Sequence, residues 1–113
     1  EMFAGNSFIQ LNLNNFNTSQ VTNMSRMFRG CRSLTTLDIS SFDTQKVTMM
    51  TDMFSFCRSL TSLNLSNFDT SKVINMANMF EWCDELTNLN LSSFNTSQVS
   101  NMSTMFSSCK KLS

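Results

Sequence analysis

Histidine and proline are absent from this sequence of 113 residues, and glycine occurs only twice. Without histidine there is no imidazole to act as a general base, as a member of a nucleophilic triad or as a zinc ligand. With no proline and so little glycine, no flexible linker divides the chain, which reads as one domain. An excess of either charge is missing too, since eight Lys and Arg balance eight Asp and Glu. A neutral chain lacks the positive field that draws proteins to nucleic acid or to an anionic membrane surface. No apolar run approaches the length needed to cross a bilayer as a helix.

What is present is repetition. Cys31, Cys57, Cys83 and Cys109 recur at one constant interval, and Phe16, Phe42, Phe68 and Phe94 recur at the same one. Val21/Val47/Val73/Val99, Met24/Met50/Met76/Met102 and Met27/Met53/Met79/Met105 keep this spacing. Leu11/Leu37/Leu63/Leu89, Thr18/Thr44/Thr70/Thr96 and Phe28/Phe54/Phe80/Phe106 bring the number of identical positions per unit to eight. Self-similarity at a fixed period of this size is the mark of a repeat architecture. The units are 8–33, 34–59, 60–85 and 86–111, with 1–7 the tail of a partial N-terminal coil and 112–113 the start of a further one. The chain is expected to be a piece of a longer array or to carry an unusual cap.

Each unit runs Leu-x-x-Leu-x-Leu, then Phe-Asx-Thr, then Val-x-x-Met-x-x-Met-Phe-x-x-Cys. The alternation in Leu60-Thr-Ser-Leu-Asn-Leu-Ser66 predicts a half-buried strand. Asp69 is placed to fold its carboxylate onto nearby N–H groups as a turn. Residues 73–76 predict a second short strand. Ser25, Thr51 and Ser103 stand where a hydroxyl caps a short helical turn holding Met-Phe-x-x-Cys. One coil alone is not stable. Burying an apolar side chain contributes roughly 1.5–3 kcal/mol, while ordering the backbone costs roughly 1–2 kcal/mol for every residue. Neighbours that cover both faces and pair the strands reverse that balance. The expectation is a leucine-rich-repeat-like right-handed solenoid, mixed α/β but strand-dominated, with one main sheet, a second short strand and a short helical turn per coil.

The run Leu60-Thr-Ser-Leu-Asn-Leu-Ser-Asn-Phe-Asp-Thr-Ser-Lys-Val-Ile-Asn-Met, followed by Met79-Phe80 and Cys83, resembles the bacterial surface protein 26-residue repeat, related to the BspA-like leucine-rich repeats. The resemblance extends over every unit. It implies a solenoid of the kind found in surface-anchored or lipid-anchored bacterial proteins, several of them adhesins, and hence a cell-surface or secreted location.

No catalytic constellation is visible, and no cofactor is expected. The four cysteines have two readings: a thiol relay or metal ladder, or a column of buried free thiols packed behind Phe28, Phe54, Phe80 and Phe106. Coils stacked at about 4.8 Å hold successive Cβ atoms farther apart than the roughly 3.5–4.5 Å usual in a disulfide. The methionine columns read as core filling, with soft-metal binding the alternative. Asp43 and Asp69 stack in adjacent turns, where calcium and local turn bonding compete as explanations. The threonine column raises ice binding, but no second threonine stands two places on.

Two surfaces are candidates for a partner. One is the face beside the strand leucines: Gln10, Asn12, Asn14, Thr36, Asp38, Ser40, Ser62, Asn64, Ser66, Asn88, Asn90 and Ser92. It is polar, almost uncharged, and suited to hydrogen bonding with a carbohydrate or a peptide. The other is a mixed aromatic and charged strip of Arg29, Arg32, Phe56, Arg58, Trp82, Asp84 and Glu85. The position before each cysteine carries Gly30, Phe56, Trp82 and Ser108, and a site that ranges from glycine to tryptophan is not a core site. The function expected is non-catalytic binding of a protein or carbohydrate on a host or neighbouring cell surface. The competing expectation is a spacer or stalk that self-associates end to end through uncovered strand edges.

Overall fold

The computed structural model describes residues 2–7 and 9–113. Glu1 and Phe8, expected to begin the partial coil and the first full unit, lie outside the described residues. Two strands are present among the described residues, β1 (Ser62–Asn64) and β2 (Asn88–Asn90). They pair in parallel, with Ser62 opposite Asn88, Leu63 opposite Leu89 and Asn64 opposite Asn90. On the other side of each unit, parallel bridges link Asn23 to Met49, Met49 to Asn75 and Asn75 to Asn101. Every one of these pairs joins residues one repeat period apart, so equivalent residues of successive units lie side by side.

Strand is scarcer than the alternation predicts. In the first two units the chain is linked at that level by Thr35 N–H to Ile9 O (3.3 Å) and Thr61 N–H to Thr35 O (3.2 Å), without a strand forming. The second strand, expected over 73–76, reduces to one bridged residue, Asn75, paired with Met49 and Asn101.

The segment expected to be a helical turn is built differently. No helix occurs among the described residues, and none is therefore long and apolar enough to cross a membrane. Along 24–30, alternate N–H groups leave the coil: Met24, Arg26, Phe28 and Gly30 donate to the carbonyls of Met49, Thr51, Met53 and Ser55, at 2.7–3.0 Å in this and the next two units. The intervening Met27, Arg29 and Cys31 donate three residues back, closing successive β-turns. An α-helix would spend every N–H within itself; here half of them hold the neighbouring coil. Two positions per unit have positive φ, namely Arg26, Asp52, Asn78 and Thr104 (62°, 58°, 59° and 52°), and Gly30, Phe56, Trp82 and Ser108 (74°, 62°, 60° and 61°). A positive φ at the third residue of a hydrogen-bonded turn is the requirement of a type II turn. The hydroxyls expected to cap helices do not do so. Asn23 Oδ1 and Asn101 Oδ1 accept the N–H of Ser25 and Ser103 at 2.9 Å, and Thr51 Oγ1 is buried without a hydrogen-bond partner.

Side chains replace glycine in turning the chain. At three levels of the coil an Asx oxygen accepts the N–H two residues on: Asn12, Asp38, Asn64 and Asn90 at 3.0 Å each; Asn17, Asp43, Asp69 and Asn95 at 2.9–3.1 Å; and Asn23, Asn75 and Asn101 at 2.9 Å. Met49 interrupts the third column and has no oxygen to offer. Met49→Asn is therefore expected to raise stability by about 1 kcal/mol, the net worth of one such bond, read as a higher urea midpoint. A midpoint at or below the parent's would reject this account of the turn.

Threonine ties coil to coil. Each hydroxyl of Thr18, Thr44 and Thr70 donates to the carbonyl of the residue 25 positions on (Asp43, Asp69, Asn95; 3.0 Å) and accepts that residue's N–H (2.8 Å). Behind them one core runs through the units, made by the Leu, Ile, Val, Met, Phe and Cys columns. Phe28, Phe54 and Phe80 are fully buried, and each neighbouring pair stacks at 5.6 Å between ring centroids. The core ends unevenly: Phe106 and Met102 in the last unit are 44% and 48% exposed, whereas Phe80 and Met76 are wholly covered.

Candidate functional site

The turn before each cysteine builds the aromatic strip. Positive φ at Phe56 and Trp82 throws their side chains away from the core, while Cys57 and Cys83 beside them point in and are fully buried. The two rings are half-buried and stack at 6.2 Å between centroids, 10° from parallel. Cations interleave with them. The Arg29 guanidinium lies 5.3 Å from the Phe56 ring centre, Arg58 lies 5.8 Å from Phe56 and 4.9 Å from Trp82, and the Lys110 ammonium is 5.7 Å from Trp82. All fall within the range of cation–π attraction.

Carboxylates of the third unit lie between the cations of the second and fourth. Asp84 stands between Arg58 and Lys110, 3.7 Å from each, and Glu85 pairs with Lys111 at 2.6 Å. Arg58 Nε and Asp84 Oδ1 are buried yet make no hydrogen bond. In the first unit Arg29 and Arg32 are exposed and take part in no ion pair among the described residues. They flank an open groove lined by Ala4, Gly5, Arg29, Gly30 and Arg32. Lys110 belongs to the strip although sequence reading omits it. Its signal is the period, because it shares the column of Arg32, Arg58 and Asp84.

The polar face is exposed along its whole length, with all twelve of its residues open to solvent. Gln10, Asn12, Asn14, Thr36 and Asp38 border one shallow groove, and Ser62, Asn64, Asn88 and Asn90 a second. Much of its hydrogen-bonding capacity is already used. The oxygens of Asn12, Asp38, Asn64 and Asn90 hold the turns to Asn14, Ser40, Ser66 and Ser92. Ser40 adds its hydroxyl to Asp38 at 2.6 Å, and together the hydroxyl and N–H of Ser40 keep that carboxyl below the usual carboxylate range.

The remaining motifs are absorbed by the fold. Asp69 accepts both the hydroxyl (2.6 Å) and the N–H of Ser71, which lower its pKa, and Asp43 holds the backbone and side chain of Gln45. Both carboxylates therefore serve turns, and no group of three His, Cys, Asp or Glu among the described residues is placed to hold a metal. Of the threonines that raised ice binding, Thr18, Thr44 and Thr70 are buried and Thr96 in the last unit is exposed. The cysteines are free thiols. Cys31, Cys57, Cys83 and Cys109 donate to the carbonyls of Phe3, Phe28, Phe54 and Phe80 in the preceding turn at 3.0–3.2 Å. Burial pushes all four thiols up, Cys57 well above its ordinary value and Cys83 to about 12.

Units of one length, placed in register and joined by the same bonds at each junction, define a repeat-type protein. The chain belongs to the family described as Mycoplasma protein of unknown function, DUF285, whose model matches residues 1–113. No curated protein and no solved structure matches it significantly.

Proposed function

We propose that this chain is a non-catalytic cell-surface interaction repeat of the adhesin type. In this reading it is a segment of a leucine-rich-repeat-like right-handed solenoid, and it binds a host or neighbouring glycoprotein or matrix component. One observation carries the proposal. Phe56 and Trp82 sit at φ 62° and 60°, a conformation that Gly30 adopts freely one coil earlier. The turn has this conformation in every unit, and at Phe56 and Trp82 it turns a large side chain outward. Here it serves to hold two half-exposed rings outward among cations, and Trp and Arg are the residues that dominate binding surfaces. The reactive groups support the non-catalytic side of the reading: the thiols are neutral and enclosed, and Asp38, Asp43 and Asp69 are engaged in turns.

The test pairs a glycan and matrix-protein panel with the Phe56→Gly/Trp82→Gly variant. Glycine relieves the backbone at both sites, so the urea midpoint is expected to change little while binding to the panel hit weakens about tenfold or more. Binding that survives removal of both rings rejects the strip as the contact surface.

A second reading rests on the sameness of the junctions. Successive coils are joined by the same backbone bonds in each unit, so a coil of one copy offers another copy the groups that coils already use on each other, which favours a spacer that self-associates. Sedimentation showing concentration-dependent growth, with silence across the binding panel, would select it.

A further inference from the structure

Charge and shape along the strip define the kind of partner that fits it. From the first unit to the fourth the order is two guanidiniums with no ion pair among the described residues (Arg29, Arg32), the Phe56 ring with Arg58, the Trp82 ring beside Glu81, Asp84 and Glu85, then Lys110 and Lys111 paired with Asp84 and Glu85. The guanidinium end is also the open end. Gly5 and Gly30 form the floor of the groove there, and a Cβ added at Gly5 would meet nothing within 4 Å. Where later coils carry a ring at this position, the first two levels carry a hydrogen and leave space. Arg29 is held at the edge of that space by the Phe56 ring, 5.3 Å from its centre. Arginine pairs with carboxylates through two parallel hydrogen bonds, and a guanidinium already positioned loses less freedom in forming them.

We propose that this glycine-floored groove is a carboxylate-binding site for an acidic peptide segment, with Arg29 and Arg32 as its clamp. It deepens the interaction reading above and rests on it. A peptide can place one or two carboxylates in the groove, lay an apolar side chain on the edges of Phe56 and Trp82, and present a neutral or basic residue to Glu81, which takes part in no ion pair among the described residues. A polyanion such as a sulfated glycan or a nucleic acid carries negative charge along its whole length and meets Glu81 unfavourably.

The probe is a blocked hexapeptide of two glutamates, a serine, two leucines and a lysine, titrated calorimetrically into the intact chain at low and at moderate salt. Binding is expected to weaken with salt. It should fall at least about tenfold in Arg29→Gln/Arg32→Gln, at an unchanged urea midpoint. The same peptide with glutamines in place of glutamates should bind at least about tenfold more weakly to the parent chain. No binding of the acidic peptide, equal binding by the arginine variant, or equal binding of the glutamine peptide each overturns the proposal. Heparin binding more tightly than the peptide, with the same dependence on Arg29 and Arg32, overturns the peptide assignment. A panel hit that needs Phe56 and Trp82 but neither arginine removes the groove while leaving the interaction reading standing.

Discussion

Thr44→Val combined with Thr70→Val is expected to lower stability by about 4 kcal/mol in total, or about 2 kcal/mol at each site. Valine matches threonine in shape, so the core is not opened; what disappears is a hydroxyl that both donates and accepts across a junction between coils. Each substitution forfeits two hydrogen bonds, to Asp69 in one case and Asn95 in the other, at a net of about 1 kcal/mol per bond. Both threonines are almost wholly enclosed, at 1% and 0% exposure, so water cannot replace the lost hydroxyl. Small domains have stabilities of about 5–15 kcal/mol, so the double variant loses a large share. Thr44→Ser/Thr70→Ser keeps the bonds and gives up only a methyl at each position, about 0.8 kcal/mol apiece. Urea unfolding of the three proteins decides it: serine and valine variants of equal stability would show that the hydroxyls are not what joins the coils.

Alkaline pH is expected to destabilise this protein through its buried cysteines. Up to about pH 8 the cysteines hold their protons in both the folded and the unfolded chain, and stability is independent of them. Above that the unfolded chain releases them while the native one does not, because burial has pushed Cys83 to about 12 and Cys57 well above its ordinary value. The unfolded state therefore gains with every step in pH until the native thiol also ionises. For Cys83 alone, from the ordinary 9.0 to about 12, the loss approaches roughly 4 kcal/mol. Urea midpoints at a series of pH values from 7 to 11 should stay level and then drop, and Cys57→Ala/Cys83→Ala, although weaker at pH 7, should show a flatter decline. A parent midpoint that holds steady to pH 11 would remove burial as the determinant of these thiols. Native alkylation supplies an independent check, with Cys57 and Cys83 expected to remain unmodified at neutral pH.

The constant repeat period makes the columns legible in the sequence alone. Cys31 to Cys109 and Phe28 to Phe106 can be assigned to shared files from spacing, and the variation from Gly30 to Trp82 marks an outward position. What spacing does not convey is how the backbone travels between columns. The Met-Phe segment carries a helical-looking apolar pattern, and nothing in residues such as Arg26, Asp52 or Trp82 announces a positive φ, which glycine or asparagine ordinarily signals. That conformation is imposed by the neighbouring coil, which takes every second N–H. For the same reason Thr18, Thr44 and Thr70 look like surface residues in the sequence and prove to be enclosed: their polarity is satisfied by a partner 25 residues away. On the binding strip, Lys110 escapes notice because its column mixes arginine, aspartate and lysine, so identity does not reveal it although position does.

Because every hydrogen bond between coils among the described residues joins positions separated by about one repeat length, from 24 to 29 residues, a whole coil is a cassette whose upper and lower surfaces are interchangeable with those of its neighbours. Duplication or loss of a full unit leaves all remaining junctions intact, and a coil one residue short is accommodated as well: Phe3 stands 25 positions before Phe28 instead of 26, yet the two rings stack at 5.6 Å as Phe28 and Phe54 do. Each gain or loss of a complete unit slides the groove, the rings and the carboxylates to a new distance from the ends of the array.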